Sequence, residues 1–224
     1  MASKETFTYP SLARIRRESK RFQRDSRFPQ DGVLRVPEGT RVIPDFAYRR
    51  RANIRRLVIP EGVTEIGFSA FQYCENLETV SLPGTLRKIG WYAFEGCHSL
   101  RGIAVPEGVA KIEGSAFQYC KNLETVSLPG TLRKIGWHAF EGCDGLREIV
   151  IPEGVTRIGD YAFWYCKNLE TVTLPDSLRK LGDAAFCGCD SLREVSLPAS
   201  WKGLGKRRQL AMAHIISEEV RVYR

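Results

Sequence analysis

The side chains with the most evident chemical potential in this 224-residue chain are seven cysteines and three histidines. Cys74, Cys97, Cys120, Cys143 and Cys166 recur every 23 residues, Cys189 continues the series, and Cys187 stands outside it. A thiol that returns on a fixed period is first of all a packing position, because free cysteine behaves as a small buried apolar residue. Cys187-x-Cys189 is a single pair with no histidine beside it, too little for a tetrahedral metal site. His98, His138 and His214 have no repeated acidic or nucleophilic partner. The chain contains no phosphate loop, no G-x-S-x-G and no H-E-x-x-H. These residues predict no enzyme, no catalytic residue, no metal and no cofactor.

Two other sets of side chains keep the same period. Arg55, Glu78, Arg101, Glu124, Arg147, Glu170 and Arg193 alternate in sign. On neighbouring strands they would form a ladder of cross-strand ion pairs, each contributing roughly a few tenths of a kcal/mol. The alternative is a charged binding floor. The second set is aromatic: Phe68, Trp91, Tyr92, Trp137, His138 and Tyr161 lie just before a recurring A-F pair, and Tyr73, Tyr119, Trp164 and Tyr165 just after it. Tryptophan and tyrosine carry much of the energy of protein interfaces. Phe68, Trp91, Tyr92, Trp137, His138, Tyr161 and Trp164 are therefore the candidate partner-binding residues. Trp91 and Trp137, two coils apart, should lie ~10 Å from each other. A purely structural reading competes with this one. Tyr73, Tyr119 and Tyr165 alternate with Gly96, Gly142 and Gly188 in one column, so a tyrosine would cover the glycine of the next coil. A basic stripe also runs through Arg87-Lys88, Lys111, Arg133-Lys134, Arg157 and Arg179-Lys180. It suits an acidic partner, a sulfated glycan or a nucleic-acid strand, or else a solvated edge balanced by Glu61, Glu107 and Glu153. No recognised nucleic-acid motif accompanies it.

The elements that must position these groups follow from the period itself. Residues 54–76, 77–99, 100–122, 123–145, 146–168 and 169–191 are six units of 23 residues, with a degenerate unit at 31–53 and a truncated one from Leu192. Their shared pattern is L-x-x-V/I-x-L/I-P, an apolar residue, then I-G-x-x-A-F-x-x-C, with small exceptions such as Ile54 and Val105 at leucine positions, Glu113 at the glycine and Leu181 at the isoleucine. The first part alternates as a short strand with one buried face, and the proline ends it because it has no N–H to give to a ladder. The A-F-x-x-C part has helical spacing and predicts a single turn, too short for a stable helix of its own. Stacked units would bury one inward column per motif position under one parallel sheet. Phe71, Phe94, Phe117, Phe140, Phe163 and Phe186 would form a spine. A 46-residue period is superposed. Odd units read P-E-G-V and even ones mostly P-G-T-L, and Ser69–Cys97 differs from Ser115–Cys143 at only two positions, Glu75/Lys121 and Tyr92/His138. Recent duplication and deliberate idealisation would both produce this.

On these L-P, I-G, A-F and C positions the chain resembles the BspA-type (treponemal-type) leucine-rich repeat family across residues 31–200. The resemblance implies a repeat solenoid of the α/β leucine-rich-repeat type, curved and right-handed. A concave parallel sheet would carry the charge ladder, with short turns on the other side. It also implies adhesion and protein–protein contact, often on cell surfaces.

Three segments are expected. Residues 1–30 form a basic cap helix, with Leu12, Ile15 and Phe22 on one face. Residues 31–200 form the solenoid, and residues 201–224 a basic cap of a helix over 204–216 and a final strand at 219–223. The net charge of +8 sits at these ends. Residues 1–30 carry eight basic and three acidic residues and residues 201–224 six and two, which leaves the body at −1. No apolar run approaches the ~18 residues of a membrane span, so no membrane insertion is expected. Met1–Pro10 lacks the apolar core of a signal peptide. With an odd number of thiols this favours a cytoplasmic location, the cell surface being what the resemblance implies. The function expected is a non-enzymatic scaffold for a protein partner or for adhesion. The alternatives are a self-associating structural module and a binder of anions, glycan or nucleic acid through the basic termini.

Overall fold

The computed structural model describes residues 31–198, Trp201 and residues 221–223. The N-terminal cap helix and the helix over 204–216 lie outside the described residues. The L-x-x-V-x-L part of each coil forms a three-residue strand: Val33–Arg35, Arg56–Val58, Thr79–Ser81, Gly102–Ala104, Thr125–Ser127, Glu148–Val150, Thr171–Thr173 and Glu194–Ser196. Pairing is parallel, and Leu34, Leu57 and Val80 face one another at steps of one repeat. The chain is a parallel β-solenoid of about seven turns. The first sheet comes in two blocks, five strands ending at Thr125–Ser127 and four beginning at Glu148–Val150. The last strand of the second block is Arg221–Tyr223, paired in register with Glu194–Ser196.

One sheet was expected, and a second one runs beside it. Two-residue strands at Val42–Ile43, Glu65–Ile66, Lys88–Ile89, Lys111–Ile112, Lys134–Ile135, Arg157–Ile158 and Lys180–Leu181 pair into an unbroken seven-stranded parallel sheet. A dipeptide has no periodicity to read along the chain; only stacking makes it a sheet.

No helix appears among the described residues, so the helical part of the expected α/β architecture is missing there. The A-F-x-x-C segment shows why. Its N–H groups alternate between two kinds of acceptor. Those of Ala70, Gln72 and Cys74 reach back three residues, to Gly67, Ser69 and Phe71. Those of Phe71 and Tyr73 cross to the carbonyls of Ala93 and Glu95 on the next coil, at 2.8 and 2.7 Å. Half the donors a helix needs are spent between coils. Two positions per coil accordingly take a positive φ: Ser69, Tyr92, Ser115, His138, Tyr161 and Ala184 in one column, and Tyr73, Gly96, Tyr119, Gly142, Tyr165 and Gly188 in the other.

The inward columns are dry. Tyr48, Phe71, Phe94, Phe117, Phe140, Phe163 and Phe186 stack face to face, with centroids 5.1–5.5 Å apart and planes within 11°. Each columnar thiol from Cys74 to Cys189 is buried and donates to a carbonyl of the preceding coil, Cys120 to Phe94 at 3.2 Å for example. Burial pushes the Cys120 thiol well above its usual range, and likewise those of Cys97, Cys143 and Cys166. Such thiols are inert, since the thiolate is the reactive form.

The 46-residue period has a structural cause. In each odd loop a glutamate accepts two N–H groups of the following even loop. Glu61 takes those of Gly84 (2.9 Å) and Thr85 (3.2 Å), and Glu107 those of Gly130 (3.1 Å) and Thr131 (3.3 Å). The even loop answers with a hydroxyl. Thr131 Oγ1 accepts the Gly108 N–H at 3.0 Å and donates to the Val109 carbonyl at 3.3 Å. Ser177 does the same between Gly154 and Val155. Arg87 and Arg133 then fold back onto carbonyls of their own loops, at 2.8–2.9 Å, and lie over Gly108 and Gly154 of the next odd coil. The alternating P-E-G-V and P-G-T-L loops are thus complementary halves. The glutamates expected to balance a basic edge are instead backbone acceptors. Thr131→Val keeps the shape and removes both bonds. It should destabilise the fold by about 1–3 kcal/mol, read as a lower midpoint in urea; an unchanged midpoint would show that the loop lock carries no stability.

Candidate functional site

The aromatic residues predicted to bind a partner meet in one continuous row. Phe68 packs edge-on to Phe46 (5.2 Å) and Tyr92 (5.4 Å). Tyr92 meets Trp137 at 6.0 Å, and Trp137 meets Trp91 and His138 at 5.1 Å each. His138 stacks on Tyr161 (4.9 Å, planes 11° apart) and touches Trp164, which closes on Tyr161 at 5.3 Å and Tyr165 at 4.8 Å. Trp137 and Tyr161 keep 37% and 38% of their surface exposed, so the row presents aromatic surface to solvent.

The spacing of Trp91 and Trp137 corrects the sequence expectation of ~10 Å; their centroids are 5.1 Å apart. The coil between them carries Gly114 in the tryptophan column, and a Cβ there would lie 2.8 Å from each indole. The two rings lean into the space a side chain would have filled. The tyrosine–glycine alternation is also built as packing. Tyr119 Cδ1 would lie 2.6 Å, and Tyr165 Cδ1 2.7 Å, from a Cβ on Gly142 and Gly188. Tyr92, His138 and Tyr161 hold φ of 53–58°, a conformation costly for side chains with a Cβ. Ser69, Ser115 and Ala184 share it, so the turn imposes the strain rather than the aromatic ring.

Beneath the row lies a polar cluster that sequence reasoning missed. Glu141, 2% exposed, accepts from Gln118 Nε2 at 2.7 Å and from the Tyr119 hydroxyl at 2.6 Å. Its other neighbour is Nδ1 of His138, so the histidine does have an acidic partner, three residues on. An ionised Glu141 accepts there only if Nδ1 carries the proton. Burial alone would raise the Glu141 pKa. The bonds from His138, Tyr119 and Gln118 outweigh it and hold the carboxyl below its usual value. The bond to Glu141, with burial, pushes the Tyr119 phenol up to about 12. Glu95 repeats the arrangement one pair of coils earlier, with Gln72 and with the Tyr73 hydroxyl at 2.9 Å. The signal was present as a Gln72, Glu95, Gln118, Glu141 alternation directly after each A-F pair.

The charge ladder on the first sheet resolves into groups. Arg55–Glu78 (2.9 Å) and Arg101–Glu124 (3.2 Å) are pairs; Arg147 (2.9 Å) and Arg193 converge on Glu170. All the arginines are well exposed, so each pair contributes a few tenths of a kcal/mol at most by the usual measure of surface ion pairs. Among the described residues no group of three or more histidine, cysteine or acidic side chains is placed to hold a metal ion. Among the described residues there is no helix long and apolar enough to cross a membrane.

A sequence profile described as the BspA type leucine rich repeat region matches residues 41–170 and 156–208, in six copies. Among solved structures, a leucine-rich repeat protein of T. pallidum is similar at 29% identity and a TM-score of 0.54, over 75% of this chain and 70% of that one. A leucine-rich repeat protein from Bacteroides ovatus superposes with a TM-score of 0.52 at 21% identity, over 85% of this chain. The chain spans 65% of the length of that protein. No curated protein sequence matches the chain.

Proposed function

This chain belongs to the BspA-type leucine-rich repeat family, and on that premise we propose that it is a non-enzymatic scaffold that docks a protein partner on its aromatic row. The observation that carries the reading is the row itself: rings from coils 54–168 pack on one another and still offer exposed surface at Trp137 and Tyr161. Rings already fixed lose little conformational entropy on binding. Tryptophan and tyrosine are the residues most enriched where interface energy concentrates. The first sheet is a weaker candidate, since its exposed columns are mostly threonine, serine and mutually paired charges, with Val150 an isolated exposed apolar side chain.

The thiols do not discriminate between compartments. Six are buried and would survive unpaired in an oxidising environment as readily as in a reducing one. The cell surface therefore stands beside the cytoplasm as a site of action, with adhesion the corresponding task.

The test is a paired alanine substitution, Trp137→Ala with Tyr161→Ala. Folding should be retained, by unchanged far-UV circular dichroism, because neither side chain enters the phenylalanine spine. Proteins specifically retained by the wild-type chain should be lost by the double variant. Retention of the same proteins by a folded variant would refute the aromatic row as the docking surface.

A further inference from the structure

The 46-residue period divides the first sheet as well as the loops. Its coils pair as 54–99, 100–145 and 146–191. Within each pair the two strands are bonded at both ends. Ile59, Val105 and Ile151 donate to the carbonyls of Ser81, Ser127 and Thr173, and Glu78, Glu124 and Glu170 to those of Arg55, Arg101 and Arg147. The ion pairs Arg55–Glu78, Arg101–Glu124 and Arg147–Glu170 fall inside the same pairs. So do the loop bonds accepted by Glu61, Glu107 and Glu153.

Between pairs the first sheet loosens. From coil 77–99 to coil 100–122 the register narrows to Thr79 against Gly102, and the Arg101 N–H reaches the Glu78 carbonyl at 3.3 Å. From coil 123–145 to coil 146–168 the ladder is interrupted. Among the described residues the N–H groups of Leu128 and Arg147 have no backbone acceptor across that junction. The core shows at the same places. Val80, Leu82, Val126 and Leu128 are half-buried, whereas Val172 and Leu174, their equivalents in coil 169–191, are buried at a fully paired junction. Val150, on the far side of the interruption, is 52% exposed. The other flanks of the same two coils stay joined. Lys134 and Ile135 pair with Arg157 and Ile158, Phe140 stacks on Phe163 at 5.3 Å, and His138 stacks on Tyr161 at 4.9 Å.

We propose that the junction between coils 123–145 and 146–168 is a flexing joint: the first sheet opens and closes there about a pin made by the spine, the second sheet and the His138–Tyr161 stack. Backbone groups released from a ladder at a solvent-facing strand bond to water, so opening costs little net free energy. Few buried apolar contacts and exposed backbone bonds mark the segments of a protein that open most readily. Val126–Leu128 and Val150 combine both features, while the dry columns on either side of them hold the coils in line. The aromatic row crosses the joint, since His138 belongs to one coil pair and Tyr161 to the next. A partner seated on Trp137 and Tyr161 would span it and select one curvature of the solenoid, as any ligand favours the state it fits better. That consequence rests on the aromatic-row reading; the joint does not.

The experiment measures distance distributions between spin labels on the frozen full chain by dipolar electron paramagnetic resonance. Ser127→Cys with Thr173→Cys spans the joint, and Arg35→Cys with Ser81→Cys spans two closed junctions. All four side chains are exposed. Each pair lies two coils apart, about 9.6 Å in a regular stack. Cys187→Ser is the background, because the other six thiols are buried. Unchanged far-UV circular dichroism checks that the labelled chains are folded. The pair across the joint should show a longer mean distance and a broader distribution than the control pair. Tyr161→Ala, which removes the stack on His138, should broaden the joint pair further and leave the control pair alone. Tyr161→Phe keeps the ring and should restore the original width. Equal widths for the two pairs, or a longer distance with no added width, overturn the joint, the second because it describes a fixed gap. An unchanged width in Tyr161→Ala overturns the stack as its pin. No partner takes part, so failure of the joint leaves the docking surface standing, and failure of the docking surface leaves the joint.

Discussion

Phe117→Ala is expected to destabilise the solenoid by about 3–5 kcal/mol and to break its unfolding into two steps. Phe117 is fully buried at the middle of the spine. It stacks on Phe94 at 5.5 Å with planes 1° apart and on Phe140 at 5.3 Å with planes 9° apart. Alanine there removes the ring and leaves a cavity walled by two other rings, which the stacked backbones cannot close without losing their inter-coil bonds. A repeat array is stable through nearest-neighbour interfaces, so a weak interface in the middle uncouples the coils on either side. Phe186→Ala is the control. Among the described residues its ring stacks only on Phe163, at 5.1 Å. It should cost less and leave a single transition. Urea denaturation followed by circular dichroism and by tryptophan fluorescence reads both effects, because Trp91 and Trp137 lie in the coils on either side of Phe117. A single transition for Phe117→Ala with the wild-type midpoint would contradict the spine as the source of cooperativity.

What was legible in the residues is what repeats and points inward. The leucine, phenylalanine and cysteine columns could be read because a 23-residue period leaves few other places for them. The coil-to-coil bonds could not. The A-F-x-x-C spacing is that of a helical turn, and the donors of Phe71 and Tyr73 are diverted only because the next coil offers carbonyls at 2.7–2.8 Å. Lys134-Ile135 is too short to alternate, so the second sheet has no signature along the chain. Trp91 and Trp137 were placed on one face, but their distance depended on Gly114, a residue conspicuous only by having no side chain. The P-E-G-V and P-G-T-L alternation was visible as a pattern; that Glu107 and Thr131 each bind the backbone of the other's loop needed the stacked geometry. In each case the missing information is a contact between coils, which no single repeat contains.

Glu141→Ala should be the costliest polar substitution in the body of the repeats, at about 2–4 kcal/mol, because three donors converge on one buried carboxylate. The Tyr119 hydroxyl, Gln118 Nε2 and His138 Nδ1 would all lose their acceptor at once. Glu141→Gln keeps an acceptor oxygen and removes the charge, so its difference from wild type isolates the ionised form. That difference has a predictable sign on both sides of neutrality. Burial opposes ionisation of Glu141, yet the bonds from His138, Tyr119 and Gln118 hold its folded pKa below the ordinary 4.5. The stabilisation is therefore complete above 4.5 and lost as pH falls through the lowered folded value. Tyr119 runs the other way. Its hydrogen bond to Glu141, with burial, raises the phenol from 10.0 to about 12. That contribution is complete below 10 and lost as pH rises through about 12. Stability measured by denaturation should thus separate wild type from Glu141→Gln by a constant amount near neutral pH. The gap should close in acid, and tyrosinate absorbance should show one phenol titrating earlier in the variant. A gap that stayed open in acid, or an unshifted phenol, would mean that the carboxylate is not the hub. The consequence reaches the surface. His138 is fixed by Glu141 from below and stacked on Tyr161 above, so loosening the carboxylate frees the ring at the centre of the aromatic row. A partner docked on that row should bind Glu141→Gln more weakly than wild type although Glu141 itself is buried beyond its reach.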